Sequence, residues 1–255
     1  MAIPASKSAL SNEFKFETLL NPLPATIKYF LGTVIDSHVS IYGKTTIGKN
    51  NKIYSHAVLG SIPQDLKFAG EDVELIIGDN NTIREHTLLN PGTKGGGAIT
   101  KIGNGCLLMG HVHIGHDCII EDNIVIANSC AVAGHVEISS NVVIGGLSAI
   151  HQFCKIGEGA MIGGGSILVQ DIPPFCICEG NRATLRSLNI NGLRRRFKDR
   201  SNIDAIKKAY KAIFDSANPI KESASKVIET TENEYAKQLA RFVLETKRGI
   251  PFTRK

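Results

Sequence analysis

An aliphatic residue returns every six positions along the middle of the sequence, and this stride limits the possible folds more than any other feature. The positions at this spacing from Ile102 to Leu168 are all isoleucine, leucine or valine, and a small or β-branched residue follows four positions after each. Neither a helix, with a period of 3.6, nor a strand, with a period of two, produces this pattern. A hexapeptide β-solenoid does, because each hexad supplies one short strand and a turn, with its aliphatic residue pointing inward. Three hexads form a triangular coil, so residues about eighteen apart stack.

The stride divides the chain into parts. It is absent from residues 1–34, whose structure the pattern leaves open, and it predicts a β-solenoid over residues 35–181. It lapses at 61–76, where its register would bury unpaired carboxylates, and at 91–101, which contain three consecutive glycines. Both segments are predicted to be loops.

Residues 182–255 lose the six-residue period and are predicted to form a C-terminal α-helical domain. Helices are expected over 183–197, over 202–214 with Ser201 or Asn202 as its cap, and over about 222–246. Helices here would cover the strand edges that the open end of a solenoid exposes.

The cysteine positions favour free thiols over disulfide bonds. Cys106, Cys118, Cys130 and Cys154 occupy the small inward slot of a hexad, where a thiol packs as a small apolar group. The other two cysteines, at positions 176 and 178, lack a zinc-type partner pair. We therefore expect a reducing, cytoplasmic setting. No apolar run is long enough to span a membrane, and the first residues lack the features of a signal peptide.

Three histidines recur at nearly the spacing of one coil. His116, His135 and His151 are therefore expected to climb one wall of the solenoid, outside the inward positions. Asp117 directly follows His116, and a carboxylate can orient an imidazole and raise its basicity. This arrangement predicts general-base chemistry on a bound substrate.

A basic cluster follows the solenoid, with nine lysines and arginines between residues 183 and 211. It is either a solvated helix face or a dock for phosphate or an acidic protein, since arginine pairs bidentately with phosphate and carboxylate. Nucleic acid is disfavoured because no aromatic side chains are interleaved with these charges.

Several segments resemble the bacterial UDP-N-acetylglucosamine acyltransferases, the enzymes of the first step of lipid A synthesis. They are SIPQDLK (61–67), HVHIGHDC (111–118), AGHVEI (133–138), GGLSAIHQF (145–153), QDIPPF (170–175) and EGNRA (179–183). The resemblance implies a homotrimer of left-handed parallel β-helices with active sites between subunits. It also implies transfer of an R-3-hydroxyacyl chain from acyl carrier protein to the sugar 3-hydroxyl of UDP-N-acetylglucosamine.

The resemblance assigns roles to individual residues. It implies that His116 is the general base, Asp117 its orienting carboxylate, and Gly134 the donor of a backbone N–H to the oxyanion. The residues implied to contact the substrates are His113, His135, His151, Gln152, Gly164, Asn189 and Arg195. Gln64, Asp65 and Lys67 are implied to lie on a loop that meets the substrate from the neighbouring subunit. Arg194, Arg196 and Arg200 are expected to dock the acidic carrier protein. Neither a metal nor a separate cofactor is expected, because the acyl chain arrives as a thioester on the phosphopantetheine of the carrier.

Two other enzymes and a scaffold remain as alternatives. The same fold supports acetyltransferases that use acetyl-CoA. A zinc enzyme of the γ-carbonic-anhydrase type would use His111, His113, His116 and His135 as ligands. A non-catalytic solenoid is disfavoured by the histidine wall.

Overall fold

The computed structural model describes residues 14–15, 27–215 and 217–252 and shows a triangular parallel β-helix followed by helices. The strands are β1 (Phe14–Lys15), β2 (Ile27–Tyr29), β3 (Val34–Ile35), β4 (Ser40–Ile41), β5 (Lys44–Ile47), β6 (Lys52–Ile53), β7 (Val58–Leu59), β8 (Glu74–Ile77), β9 (Thr82–Ile83), β10 (Leu88–Leu89), β11 (Ile99–Ile102), β12 (Leu107–Leu108), β13 (His113–Ile114), β14 (Ile119–Ile120), β15 (Val125–Ile126), β16 (Ala131–Val132), β17 (Glu137–Ile138), β18 (Val143–Ile144), β19 (Ala149–Ile150), β20 (Lys155–Ile156), β21 (Met161–Ile162), β22 (Ile167–Leu168), β23 (Cys176–Glu179) and β24 (Thr184–Leu188). The helices are a short 3-10 turn (Lys94–Gly96), α1 (Ile190–Arg196), α2 (Arg200–Phe214), α3 (Ile220–Thr230) and α4 (Glu234–Glu245).

The strands form three sheets, one on each side of the triangle. Sheet I runs β1-β2-β5-β8-β11-β14-β17-β20, sheet II runs β4-β7-β10-β13-β16-β19-β22, and sheet III runs β3-β6-β9-β12-β15-β18-β21-β23-β24. Each coil contributes one strand to each sheet, and adjacent coils pair in parallel with residues about eighteen apart in register, as His113 pairs with Ala131. The chain turns a corner between consecutive strands.

The predicted inward stack is confirmed. Every stride position from Ile102 to Leu168 is at most 2% exposed, and the small slots four residues later are buried as well. Burial of each large aliphatic side chain contributes roughly 1.5–3 kcal/mol. The six cysteines are all buried free thiols, as predicted from their slots.

The β-helix begins earlier than the stride indicated, and its loops end sooner. Strand β2 already pairs in parallel with β5, so the first described coil includes residues assigned to the uncertain segment 1–34; residues 1–13 and 16–26 of that segment lie outside the described residues. Strands β8 and β11 begin at Glu74 and Ile99, inside the ranges predicted as loops. They extend the coil because Leu75 and Thr100 are fully buried between exposed or half-buried neighbours, which is a strand alternation.

The helical prediction for residues 183–197 is wrong in its first half. Strand β24 pairs antiparallel with β23 and completes the edge of sheet III, and this pairing outweighs the helical spacing of its leucines. Helix α1 begins only after Asn189, whose side-chain oxygen accepts a hydrogen bond from the N–H of Gly192 at 3.0 Å.

The caps and breaks of the later helices also differ from the prediction. Asp199, rather than Ser201 or Asn202, caps α2. The expected helix over 222–246 is two helices, α3 and α4, because Asn233 accepts from the N–H groups of Tyr235 and Ala236 and starts α4 anew. None of the described helices is long and apolar enough to cross a membrane.

The helices have their own apolar core and are tied to the top of the β-helix. Glu158, at a corner of the solenoid, pairs with Arg196 and accepts a hydrogen bond from Gln238 at 2.7 Å. Asp171 accepts a hydrogen bond from the hydroxyl of Thr246 at 2.6 Å. The helices therefore cover the open end of the stack, as expected from its unpaired edges.

Candidate active site

His116 and Asp117, which the sequence predicts to act as a pair, are in hydrogen-bond contact. His116 and Asp117 lie in the corner between sheets II and I, where Asp117 takes a left-handed backbone conformation with φ of 59°. This bend turns the carboxylate back onto its neighbour, so that Oδ2 of Asp117 lies 2.8 Å from Nδ1 of His116. The aspartate side chain is fully buried, whereas that of His116 is 16% exposed. The buried carboxylate thus orients the imidazole, whose opposite edge reaches the surface.

The loop that contains the three consecutive glycines packs against Asp117 and holds its carboxylate in place with hydrogen bonds. Thr93 donates its backbone N–H to Oδ1 at 2.8 Å and its hydroxyl to Oδ2 at 2.6 Å. The N–H of Asp117 donates to the hydroxyl oxygen of Thr100 at 2.8 Å. Gly96 is needed because a Cβ there would collide with the Asp117 carboxylate.

These contacts set the tautomer of His116. An ionised carboxylate can only accept, so Nδ1 carries the proton shared with Asp117. Nε2 therefore presents its lone pair at the exposed edge of the ring, which is the arrangement that a general base requires.

Gly134 lies one coil above His116, with its backbone next to the imidazole. A Cβ at Gly134 would lie 2.6 Å from Cε1 and 2.7 Å from Nε2 of His116, so the ring occupies the space of a missing side chain. Within the described residues, the N–H of Gly134 has no hydrogen-bond acceptor. A free N–H beside the base is the feature that an oxyanion donor needs.

His135 stands next to this pair. Its ring packs edge-on against His116, with centroids 5.0 Å apart, and stacks on Phe153 of the next coil at 4.4 Å. Burial lowers the pKa of His135, and the carboxylates of Asp117 and Asp65 partly oppose that effect. Burial therefore favours the neutral imidazole, which can both donate and accept a hydrogen bond.

His113 lies on the adjoining face, in strand β13 of sheet II. Its Nε2 lies 2.9 Å from Oδ1 of Asn90, whose amide group donates to the carbonyl oxygens of Ser61 and Ile62. Oδ1 must therefore accept, so Nε2 of His113 is protonated. Burial, with a smaller contribution from His116, lowers the pKa of His113.

Sheet II carries a shallow apolar groove next to the base. A cavity of about 320 Å³ lies over Ala131, Ala133 and Ala149, with His113 and His151 at its rim. The short side chains of these alanines make the groove. Gln152 occupies the corner position one coil above Gly134, and its carbonyl oxygen lies 3.2 Å from Nδ1 of His151. Sheet II and its corner thus bring together His113, His116, His135, His151 and Gln152.

A second cavity lies on a different side of the molecule. It measures about 600 Å³ and is formed by sheet III and helix α1, with Asn189 and Arg195 in its wall. The amide of Asn189 also donates to the carbonyl oxygen of Gly159 at 3.2 Å while capping α1. Asn189 and Arg195 therefore do not meet His116 within one chain.

The remaining residues predicted to contact substrate lie on the loop after β7 and at the corner between sheets III and II. Gln64 and Lys67 are exposed on the loop that follows β7, whereas Asp65 is half-buried and accepts from the N–H of Lys67 at 3.0 Å. Asp65 of the same chain acts on the pKa of His135, so this loop borders the site of its own chain. Gly164 is exposed at the corner between sheets III and II, away from the corner of His116.

The carrier-docking arginines do not form one group. Arg194 and Arg200 are exposed, as docking requires. Arg196 instead pairs with Glu158 and lies over the rings of Phe175, Phe197 and Tyr235 at 5.1–5.8 Å. Its guanidinium is engaged in joining the helices to the β-helix, which weighs against a role in docking.

Sequence reasoning missed residues that organise the site. Thr93 and Thr100 hold Asp117, Asn90 fixes His113, and Phe153 supports His135. Phe153 was detectable in principle, since it follows His135 by eighteen residues. The roles of Thr93 and Asn90 depend on loops outside the repeat, and the stride gives no register for them.

The zinc alternative fits the geometry poorly. His116, Asp117 and His135 offer ligand atoms within 4.8 Å of one another. However, both oxygens of Asp117 already accept hydrogen bonds from Thr93, and the oxygen nearest the histidines also accepts from His116. His111 lies on another corner, and the amide of Asn90 holds His113. A metal here would have to displace these bonds.

Comparison with known proteins finds relatives that share one description. The family described as Udp N-acetylglucosamine O-acyltransferase, Domain 2, matches residues 171–251. The acyl-[acyl-carrier-protein]–UDP-N-acetylglucosamine O-acyltransferase of Nautilia profundicola is 63% identical over 210 residues, which are 82% of this chain and 81% of that protein. The enzyme of the same description from Campylobacter lari is 50% identical over 228 residues, 89% of this chain and 86% of its own.

Solved structures agree with the sequence matches. The UDP-N-acetylglucosamine acyltransferase from Campylobacter jejuni superposes with a TM-score of 0.85 and 45% identity, covering 89% of this chain and 88% of its own. The Arabidopsis enzyme gives a TM-score of 0.81 at 36% identity, covering 88% of this chain and 83% of its own. These matches confirm the predicted left-handed parallel β-helix with C-terminal helices. The chain belongs to the family of acyl-[acyl-carrier-protein]–UDP-N-acetylglucosamine O-acyltransferases.

Proposed function

We propose that the protein transfers an R-3-hydroxyacyl chain from acyl carrier protein to the 3-hydroxyl of UDP-N-acetylglucosamine, the first step of lipid A biosynthesis. The observation that carries the mechanism is the His116–Asp117 pair beside the unpaired N–H of Gly134. The relatives that share this chain's sequence over more than four fifths of its length are named for this activity.

The reaction needs one proton acceptor and one oxyanion donor. Nε2 of His116 takes the proton of the sugar hydroxyl, because an unassisted hydroxyl is a poor nucleophile. The oxygen attacks the thioester carbonyl, and the N–H of Gly134 stabilises the negative charge that develops on the carbonyl oxygen. Collapse of the intermediate forms the ester and expels the phosphopantetheine thiolate, which recovers the proton from the His116 imidazolium.

Asp117 contributes by orientation and charge. Its carboxylate keeps Nδ1 of His116 protonated and stabilises the imidazolium formed during attack. Thr93 holds the carboxylate in place with two hydrogen bonds. No metal or other cofactor is required by this route, since the acyl group arrives activated as a thioester.

The remaining substrate contacts are divided between two faces. On sheet II we assign His113, His135, His151 and Gln152 to the sugar and acyl chain, together with Gln64, Asp65 and Lys67 of the bordering loop. On sheet III we assign Asn189 and Arg195 to the diphosphate and nucleoside end, because a guanidinium suits phosphate. We assign Gly164 to the acyl groove, where the missing side chain leaves room for a long chain.

A site divided in this way requires more than one copy of the chain. If sheet II of one copy faces sheet III of the next, both halves meet, and repetition of that contact closes a ring. We propose a homotrimer with one site at each interface. Exposed Arg194 and Arg200 then dock the acidic carrier protein. The six unpaired cysteines suit the reducing cytoplasm in which we propose the enzyme acts.

The test is acyl transfer by purified protein from a panel of R-3-hydroxyacyl carrier proteins to UDP-N-acetylglucosamine. The His116→Ala variant is expected to lose at least about 10²-fold in turnover, the scale of one general base. Acetyl-CoA in place of the carrier thioester is expected to give no product. Transfer from acetyl-CoA alone, or an unchanged rate in His116→Ala, would refute the proposal.

A further inference from the structure

Half of the chain's eight histidines form a column unconnected with the acyl-transfer machinery. His38, His56, His86 and His111 occupy successive coils at the corner between sheets III and II, and we call them the histidine column. Their ring centroids are 5.1, 5.1 and 4.7 Å apart, with interplanar angles of 14°, 4° and 9°. All four side chains are exposed. The surface thus presents four parallel imidazoles.

The backbone does not require histidine at these positions. Each of the four residues is left-handed, with φ between 60° and 65°. The equivalent position at the corner between sheets I and III is filled by asparagine or glycine, including Asn50, Asn80 and Asn123. Asparagine tolerates this conformation at least as well. The column also persists across both loop insertions, so that its members are 18, 30 and 25 residues apart in the sequence. The imidazoles themselves are therefore the feature to explain.

One chain alone cannot enclose a metal ion with these rings. Parallel rings present their nitrogens in the same direction, and within the described residues only His116, Asp117 and His135 form a convergent group of three ligands. The carboxylate of Glu85, next to His86 in the sequence, is also engaged, because Arg84 binds it at 2.9 and 3.1 Å. Additional ligands must come from outside the chain.

The proposed trimer supplies them. Sheets II and III carry the two halves of the divided site, and the histidine column stands on the edge that these two sheets share. When sheet II of each copy faces sheet III of the next, this shared edge points towards the three-fold axis in every copy. Leu147, two coils above His111 at the same corner, is 75% exposed in one chain, as expected for a surface that other copies cover.

We propose that the three histidine columns of the assembly meet at the axis and bind divalent transition-metal ions, with three imidazoles from one layer as ligands. Neutral imidazole is a preferred ligand of Zn²⁺, Ni²⁺ and Co²⁺, with metal–nitrogen distances of about 2.0–2.1 Å for zinc. Three nitrogens leave a coordination position for water. This inference rests on the proposed assembly, but it assigns the metal no part in acyl transfer.

The test uses the full chain, stripped of metal with a chelator and titrated with Co²⁺, whose visible absorption reports imidazole ligation. The key variant replaces all four column residues, as His38→Asn, His56→Asn, His86→Asn and His111→Asn, which keeps the left-handed turns. The matched control is Ser129→Asn, the next position of the same corner. The His116–Asp117–His135 group is present in all three proteins and gives a common background.

We expect the wild type and the control to bind at least one Co²⁺ per three chains, and the fourfold variant to bind about tenfold or more weakly, because every layer has lost its ligands. Sedimentation must show the metal on the trimer. Equal binding by the fourfold variant and the wild type, or binding by a monomer, would overturn the inference. Acyl transfer measured on the same samples separates the outcomes: an active trimer without column-dependent metal refutes only this inference, whereas an inactive protein counts against the proposed function.

Discussion

Replacing Asp117 by asparagine tests the mechanism most directly, because the surrounding donors dictate where the new amide must point. The N–H of Thr93 meets Oδ1 at 2.8 Å, and Nδ1 of His116 meets Oδ2 at 2.8 Å. The backbone N–H of Thr93 cannot reverse, so the amide oxygen of the variant stays opposite it. The amide nitrogen then takes the place of Oδ2 and donates to Nδ1 of His116. The imidazole proton must move to Nε2, which can no longer accept one.

The expected loss is that of a whole general base. A positioned base contributes about 10²–10⁴-fold to the rate, equivalent to about 2.7–5.4 kcal/mol of transition-state stabilisation. We expect kcat of Asp117→Asn to fall by this factor. KM for UDP-N-acetylglucosamine should change little, because the lost interaction forms only in the transition state. The Thr93 hydroxyl can rotate to accept from the amide, so the fold is expected to persist.

Single-turnover acyl transfer measures the rate, and nitrogen NMR of labelled His116 reads the tautomer directly. Asp122→Asn is the matched control, since this half-buried corner carboxylate accepts from the N–H and side chain of Asn104 at 2.7 and 2.9 Å, away from the site. It should keep the wild-type rate. A wild-type rate in Asp117→Asn, with the proton of His116 on Nε2, would refute the reasoning.

Three further outcomes are expected. Burial raises the pKa of the Cys118 thiol to about 12, and all six thiols are buried. A thiol reagent near pH 8 should therefore label the native protein slowly and the denatured chain at six sites. Rapid labelling of the native protein would contradict the packing. Burial lowers the pKa of His113 and His135 below 6.5. The unfolded chain then binds more protons below that pH, so the free energy of unfolding should be fully retained above about pH 6.5 and decrease towards pH 5.5; an increase in denaturant midpoints on acidification would contradict this. Arg196→Ala should lower the melting temperature without a specific effect on carrier binding. Arg194→Ala should instead raise KM for the acyl carrier at unchanged stability. The reverse result would assign Arg196 to the docking surface.

The sequence predicted the β-helix well because its core obeys one local rule. Each hexad buries its own aliphatic residue, so the inward positions follow from counting and need no knowledge of distant contacts. The rule also placed His116 and His135 near one another, and they are in ring contact. The rule did not show which neighbouring residues of a corner stack directly on one another. Gln152, rather than His151, lies one coil above Gly134.

The helical region was predicted less accurately because its local signals compete with tertiary pairing. Thr184–Leu188 has leucines at helical spacing but becomes a strand, since β23 offers an edge that only backbone pairing can satisfy. Likewise, Asp199 and Asn233 determine where helices start through side-chain caps, and several polar residues nearby could have served. Arg196 was indistinguishable by sequence from its exposed neighbours, and only the ring cluster and Glu158 separate it.

Gly134 shows how the coil spacing controls the chemistry, and its substitution gives a last prediction. In Gly134→Ala the added methyl would lie 2.6–3.0 Å from three atoms of the His116 ring, closer than such contacts allow, while the backbone N–H is retained. We expect kcat to fall by about 10²-fold or more through displacement of the base, the scale of losing general-base catalysis. Gly110→Ala is the control, because Gly110 holds the same hexad position at another corner and its added methyl would meet nothing closer than 3.2 Å. If Gly134→Ala kept the wild-type kcat, the added methyl would not displace the imidazole of His116. The position assigned to the base would then be wrong.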